Sequence, residues 1–138
     1  MIYEKSCGAV VFYEDDRSLR RYLVLKMQKG HFSLCKGHVE GAETEQETAR
    51  REIFEETALK VEFTGDFRET IQYSPYAGAM KTVVFFLART ESTETIAQEA
   101  EVAEIFFLPV SEALELLTYE SDRDILRKAD TVLENRKE

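Results

Sequence analysis

Apolar residues open the chain in two short runs, Cys7-Gly8-Ala9-Val10-Val11-Phe12-Tyr13 and Arg21-Tyr22-Leu23-Val24-Leu25-Lys26-Met27, separated by the polar Glu14-Asp15-Asp16-Arg17-Ser18. Runs of this length bounded by a polar cluster predict two strands joined as a hairpin. A third short segment, His31-Phe32-Ser33-Leu34-Cys35-Lys36, leads through Gly37 into a loop that contains Gly41. Thr44 and Glu47 have capping-box spacing, which starts a helix at Thr44 and carries it to about Thr57. From Leu59 to Tyr73, residues such as Val61 and Phe63 alternate as in extended chain. After the turn Ser74-Pro75-Tyr76-Ala77-Gly78, the run Thr82-Val83-Val84-Phe85-Phe86-Leu87-Ala88 is apolar on both faces, as a central strand requires.

Glu91 to Glu101 is acidic and is expected to be a mobile loop, and Ile105-Phe106-Phe107-Leu108 a short strand. Pro109 starts a helix with Val110, Ala113, Leu114 and Leu117 on one side, and a last helix opens at Ser121 and buries Ile125, Leu126, Ala129, Val132 and Leu133. Strands on both sides of one mid-chain helix, followed by C-terminal helices, predict an α/β fold: a mixed β-sheet with helices on both faces. With no repeat or linker, residues 1–138 are expected to form one domain.

Acidic side chains outnumber basic ones by 27 to 18, which argues against the broad basic surface that polymeric nucleic acid requires. A small polyanion remains possible through a local basic cluster or a bridging metal ion. Two cysteines, Cys7 and Cys35, without CxxC spacing indicate neither a zinc cluster nor a disulfide framework, so a reducing, cytoplasmic setting is expected. No apolar run approaches membrane-spanning length and the first residues lack a signal-peptide pattern, so no membrane partner is expected.

The mid-chain helix carries the candidate chemistry. At about 100° per residue, Glu52, Glu55 and Glu56 fall within roughly 100° of arc on one face. Like charges at helical spacing, such as Glu52 with Glu56, cost on the order of 0.2–0.5 kcal/mol per pair, and little nearby basic charge offsets it. A hard divalent cation, Mg2+ or Mn2+, is the natural counterion and would support phosphoryl chemistry. Ala49 and Ile53, beside this face, would dock the helix on a sheet. Acid clustering alone also fits a solvated charged helix, in which Glu47 and Arg51 form an i,i+4 pair.

The full spacing is more specific. Gly37, Glu43, Arg51, Glu52, Ile53, Glu55, Glu56 and Leu59 match Gx5Ex7REUxEExGU, where U is aliphatic. This resembles the Nudix box, here residues 37–59, with one departure: Ala58 stands where the family has Gly. The resemblance implies a Nudix-type α/β/α sandwich and a hydrolase of phosphoanhydride bonds. It implies that Glu52, Glu55, Glu56 and the Lys36 carbonyl hold one to three Mg2+ or Mn2+ ions, and that Arg51 and Glu43 pair to orient the helix. It also implies an acid outside the box, as metal ligand or general base. Glu101 is the candidate, with Glu99 and Glu104 close by, and Glu56 or Glu52 remains an alternative base.

Outside the box the chain is similar to the asymmetrical diadenosine tetraphosphate hydrolases: His31-Phe32 precedes Lys36-Gly37-His38-Val39-Glu40, and Tyr73, Lys81-Thr82-Val83 and Tyr119 follow. That similarity implies a nucleotide polyphosphate substrate neutralised by His31, Lys36 and Lys81, adenine stacked on Tyr73, Tyr76 or Tyr119, and ATP and AMP as products. His38 is read as structural and Cys35 as a free thiol beside the site. Leu34-Cys35 and Glu40-Gly41-Ala42-Glu43 depart from the relatives' Pro-Pro and Glu-Pro-Gly-Glu. Other nucleoside polyphosphates, (d)NTPs, nucleotide sugars, ADP-ribose and a non-catalytic sensing role therefore stay open, as do monomer and homodimer.

Overall fold

Strands β1 (Ile2–Glu14) and β2 (Arg20–Met27) form the expected hairpin in the computed structural model, which describes residues 1–136. The hairpin pairing is confined to one end, from Phe12↔Tyr22 to Glu14↔Arg20. Asp15 closes the turn, its carboxylate accepting from the Arg17 and Leu19 N–H groups at 2.8 and 3.0 Å. The third segment divides into β3 (Phe32–Ser33), on the edge of β2, and β4 (Cys35–His38), which runs antiparallel to β1 with Cys7 opposite Gly37. Gly37 thus lies within a strand and the loop begins after it.

Downstream come α1 (Glu45–Thr57), β5 (Val61–Tyr73), β6 (Ala79–Thr90), β7 (Val102–Leu108), α2 (Val110–Leu116) and α3 (Glu120–Asn135). The seven strands make one sheet in the order β3-β2-β1-β6-β5, with β4 also on β1 and β7 on β2. Strands β1 and β6 pair in parallel over Ile2↔Ala79 to Phe12↔Arg89, so the sheet is mixed as expected, and β6 lies between β1 and β5.

Strand parity divides the core. Val10, Phe12, Val24, Val83, Phe85 and Leu87 face α2 and α3, packing on Ala113, Leu117, Ile125, Leu126, Ala129 and Leu133. Their neighbours Ala9, Val11, Leu23, Leu25, Val84, Phe86 and Ala88 face the opposite side, where Ala49 and Ile53 of α1 are fully buried. This is the α/β/α sandwich that the element order predicted. Each strand of the centre is buried on both faces, so its apolar run shows no alternation in the sequence.

Residues 91–101 form no regular element, but they are not loose at their far end: Ile96 and Gln98 donate N–H bonds to the carbonyls of Thr57 and Glu56 at 2.9 and 3.2 Å. The last carbonyls of a helix have no partner within it, and here this acidic segment supplies one.

Candidate active site

Helix α1 begins where the sequence placed it. Thr44 Oγ1 accepts from the Glu47 N–H at 3.1 Å, and the Glu47 carboxylate accepts from the Thr44 N–H at 2.8 Å. That bond draws Glu47 away from Arg51, so the expected i,i+4 pair is replaced by a different set. Arg51 reaches back to Glu43 with Nε at 2.7 Å and Nη2 at 3.0 Å, and Nη2 also donates to the His38 carbonyl at 2.9 Å. Its Nη1 lies 2.9 Å from Glu52 and 3.2 Å from Glu55. Basic charge therefore does sit on the acidic face, contrary to the sequence-based expectation, because the loop before the helix folds Glu43 under Arg51. The Arg51 guanidinium holds the Glu43 carboxyl down to about 2, with the Glu40 N–H helping.

The helix ends at Ala58, which adopts φ 65° and ψ 10° while its N–H donates to the Phe54 carbonyl at 2.8 Å. The left-handed cap expected of the family's Gly is thus made by a residue with a Cβ.

Glu52 lies over Gly37, where a Cβ would overlap its carboxylate. A Cβ at 37 would therefore push the Glu52 carboxylate out of this position. A second glycine does similar work unnoticed in the sequence: a Cβ at Gly8 would collide with the Cys35 carbonyl and with Lys36, so Gly8 is what lets β4 cross β1 with Lys36 in register. Glu56 is 3% exposed and accepts a bond from the Cys35 thiol at 3.2 Å. Both cysteines are free and buried, and Cys35 adjoins the site as expected.

Burial pushes the Glu56 carboxyl up to about 8, opposed by the Cys35 hydrogen bond and reinforced by the charges of Glu52 and Glu101. Glu52 is raised as well, by burial first, against the pull of Arg51. Glu101 sits just before β7, its carbonyl accepting from the Gln28 N–H at 2.8 Å, and its charge acts on both box acids. Glu104 instead lies 3.9 Å from Lys26. The pinning of residues 96 and 98 to the end of α1 explains why Glu101, far along the chain, is brought to the box.

Among the described residues, no three acidic, His or Cys side chains are disposed as a ready metal cage. Glu52 and Glu55 turn to Arg51 and Glu56 to Cys35, because like charges repel and these are the nearest donors. The donor set nevertheless fits a hard divalent cation: it consists of oxygen ligands, and the charged forms of buried Glu56 and half-buried Glu52 are disfavoured first by desolvation and then by neighbouring acids, Glu52 and Glu101 acting on Glu56 and Glu55 and Glu101 on Glu52.

A cavity of about 480 Å³ is lined by none of these acids but includes Lys36 in its wall. One wall carries His31 and Tyr119, whose ring centroids are 5.9 Å apart at 55°. Thr118 holds that wall together, since its Oγ1 accepts from the Phe32 N–H at 2.8 Å and its own N–H donates to the Phe32 carbonyl at 3.1 Å. Tyr73 and Pro75 also line it, and Ser33, Ser121 and Asp122 contribute polar groups. Lys36 lines the cavity while its charge also acts on Glu56, so it links the two parts.

Not all sequence candidates meet there. Tyr76 does not line this cavity; it is exposed and its hydroxyl donates to Glu4 at 2.9 Å. Lys81 lies outside the lining too, with Nζ 3.5 Å from His38 Nε2 and its basicity lowered by burial and by Lys36. Burial first, and then the charge of Lys36, hold His31 below its ordinary value. Asp122, 3% exposed, had no sequence signal beyond its place near the start of the last helix. Burial raises its carboxyl, and Oδ2 accepts from the Leu34 N–H at 3.4 Å.

A family model of the NUDIX domain matches residues 3–129. The chain belongs to the NUDIX family. This Nudix chain is 24% identical over 140 residues to the asymmetrical bis(5'-nucleosyl)-tetraphosphatase of Sus scrofa, covering 94% of this chain and 95% of that protein. It is 31% identical over 105 residues to the MutT4 protein of Mycobacterium tuberculosis, covering 75% of this chain but only 42% of that protein's length. Among solved structures, a C. elegans Ap4A hydrolase binary complex superposes with TM-score 0.86 at 24% identity, covering 96% of this chain and 98% of the other. Nudix hydrolases act on nucleotide derivatives and generally use divalent ions such as Mg2+ or Mn2+. No described helix is long and apolar enough to cross a membrane.

Proposed function

We propose that this Nudix hydrolase cleaves dinucleoside polyphosphates asymmetrically, with diadenosine tetraphosphate as the preferred substrate and ATP and AMP as products. The observation that carries the reading is the continuity, through Lys36, between the box acids and an aromatic-walled cavity able to take a nucleoside. The likeness to asymmetrical tetraphosphatases over nearly the whole of both chains supports it.

In this reading Glu52, Glu55, Glu56 and Glu101, with the Lys36 carbonyl, hold Mg2+ or Mn2+. The bound cation supplies charge neutralisation at the anhydride oxygens and acidifies water. Arg51, locked to Glu43, holds Glu52 and Glu55 in position. A carboxylate, Glu56 or its neighbour Glu101 or Glu52, takes the proton from the attacking water as the new P–O bond forms and the anhydride P–O bond breaks, its electron pair leaving with the departing phosphate. Lys36 and Lys81 offset charge along the chain of phosphates. Tyr119, His31 and Tyr73 pack against a base, stacking that is worth about 1–3 kcal/mol per base.

A substrate panel with product identification tests this. Diadenosine tetraphosphate and Mg2+ should yield ATP and AMP in equal amounts. A large kcat/KM preference for dATP, GTP or ADP-ribose would displace the assignment, and nucleotide binding with no metal-dependent turnover would favour a sensing domain.

A further inference from the structure

Three arginines, Arg20, Arg89 and Arg136, line a second cavity of about 600 Å³, together with Ser18, Thr64 and a single acid, Glu14. It shares no residue with the cavity described above: Arg136 caps the C-terminal end of α3, whereas Tyr119 and Asp122 stand at its start, roughly 20 Å away along the helix. Arg20 is already matched, with Nη1 3.3 Å from Asp130 and 3.0 Å from Glu134, and Nη2 3.2 Å from Glu14. The other two are matched poorly. Arg89 has Glu91 at 3.0 Å, on a side chain 84% exposed, and Glu14 only at 3.9 Å. Arg136 has no carboxylate within 4.0 Å among the described residues; its Nη1 donates to Thr64 Oγ1 at 2.9 Å, and its Nη2 occupies the space that a Cβ at Gly65 would take. Exposed ion pairs are worth little, so these two guanidiniums retain most of their attraction for an anion.

Two further features of the lining agree. Arg20 Nε, on a side chain 7% exposed, is one of two buried side-chain nitrogen or oxygen atoms that lack a hydrogen-bond partner among the described residues. A donor left unpaired in a cavity wall marks a place where an acceptor is missing. Ser18 holds φ 59°, a left-handed conformation that Gly or Asn adopts more cheaply, yet the position is filled by a residue that carries a hydroxyl.

We propose that this cavity is a second, metal-independent site for a small phosphate-type anion, inorganic phosphate or pyrophosphate, held between Arg89 and Arg136. The guanidinium fork matches phosphate oxygens in pairs, which a carboxylate-bound lysine would not do. Thr64 Oγ1 accepts from Arg136 and so keeps its own O–H to donate, and Ser18 brings a second hydroxyl to the lining. Glu14, shared between Arg20 and Arg89, moderates the positive charge and sets a modest affinity. A bound anion would link the β1–β2 turn, the bulge of β5 and the end of α3, and so stabilise the fold at a distance from the box acids.

The test is a titration of the protein with pyrophosphate, in chelator and at constant ionic strength, followed through the backbone amide and arginine Nε–H signals in proton–nitrogen correlation spectra. Signals of Ser18, Thr64, Arg89 and Arg136 should shift and saturate, with a Kd of about 1 mM or below. Arg89→Gln and Arg136→Gln change side chains that are not buried, so both should fold, and each should weaken binding by about 10-fold. Pyrophosphate at about ten times Kd should raise the wild-type Tm by about 4 °C, and the same concentration should raise that of Arg136→Gln by less than about 2 °C. Shifts that grow without saturation show an adventitious ion only and overturn the proposal. So do shifts confined to His31, Tyr119 and Asp122, or binding undiminished in both folded variants. Neither arginine touches the box acids, so the outcome is independent of which nucleotide the enzyme hydrolyses.

Discussion

Replacing Glu56 by Gln should stabilise the metal-free protein at alkaline pH while removing its activity. Glu56 is 3% exposed, and burial, with the charges of Glu52 and Glu101, raises its carboxyl from 4.5 to about 8 against the pull of the Cys35 thiol. Below pH 4.5 the group is neutral in folded and unfolded chains alike and costs nothing extra. Between 4.5 and about 8 the unfolded chain has released its proton and the folded chain retains it, so stability falls as pH rises. Fully developed, the loss is on the order of 5 kcal/mol, and roughly 3 kcal/mol of it is present at pH 7. Against a typical total of about 5–15 kcal/mol this is large. Gln has the same shape without the titration. Urea unfolding in chelator from pH 5 to 8.5 should therefore show wild type losing stability steadily relative to Glu56→Gln, with the gap reaching several kcal/mol. Excess Mg2+ should close much of that gap in wild type only, because a cation restores the charged carboxylate. Parallel stability profiles for the two proteins across this range would refute the claim that Glu56 is a strained, neutral acid when no cation is bound.

Three further outcomes follow from particular contacts. Ala58→Gly removes a Cβ from a left-handed cap at φ 65° and should stabilise the protein by about 0.5–1 kcal/mol, seen as a Tm rise of about 2–6 °C with kcat unchanged; a lower Tm would show that the cap is unstrained. Gly37→Ala puts a methyl group into the space of the Glu52 carboxylate and should reduce kcat at least about 100-fold with the circular dichroism spectrum retained, and near-normal turnover would mean that Glu52 moves freely. Tyr119→Ala opens the wall that it forms with His31 and should raise KM about 10-fold with little change in kcat, whereas a fall in kcat alone would remove Tyr119 from binding.

Local rules carried much of this protein's site into its sequence. The Thr44 cap, the extent of α1, the shared face of Glu52, Glu55 and Glu56, and the left-handed turn at Ala58 all depend on residues within a few positions of one another, and the helix repeat converts their spacing into geometry. The Glu43–Arg51 contact also came through, as a property of the family rather than of the spacing.

Only the tertiary structure decided the rest. Strands β1 and β6 pair in parallel across most of the chain, and this choice of neighbours leaves no local trace. The same is true of Gly8, which is small because a strand nearly thirty residues later crosses it, and of Glu101, which reaches the box because its loop satisfies the carbonyls at the end of α1. Tyr76 and Lys81 looked equivalent to Tyr73 and Lys36 as residue types, yet they fall outside the cavity, and Asp122 falls inside it. Burial and the direction of a side chain are set by long-range packing, so helix spacing could place the candidate metal acids on one face, whereas of the substrate candidates His31, Lys36, Tyr73 and Tyr119 line the cavity and Tyr76 and Lys81 do not.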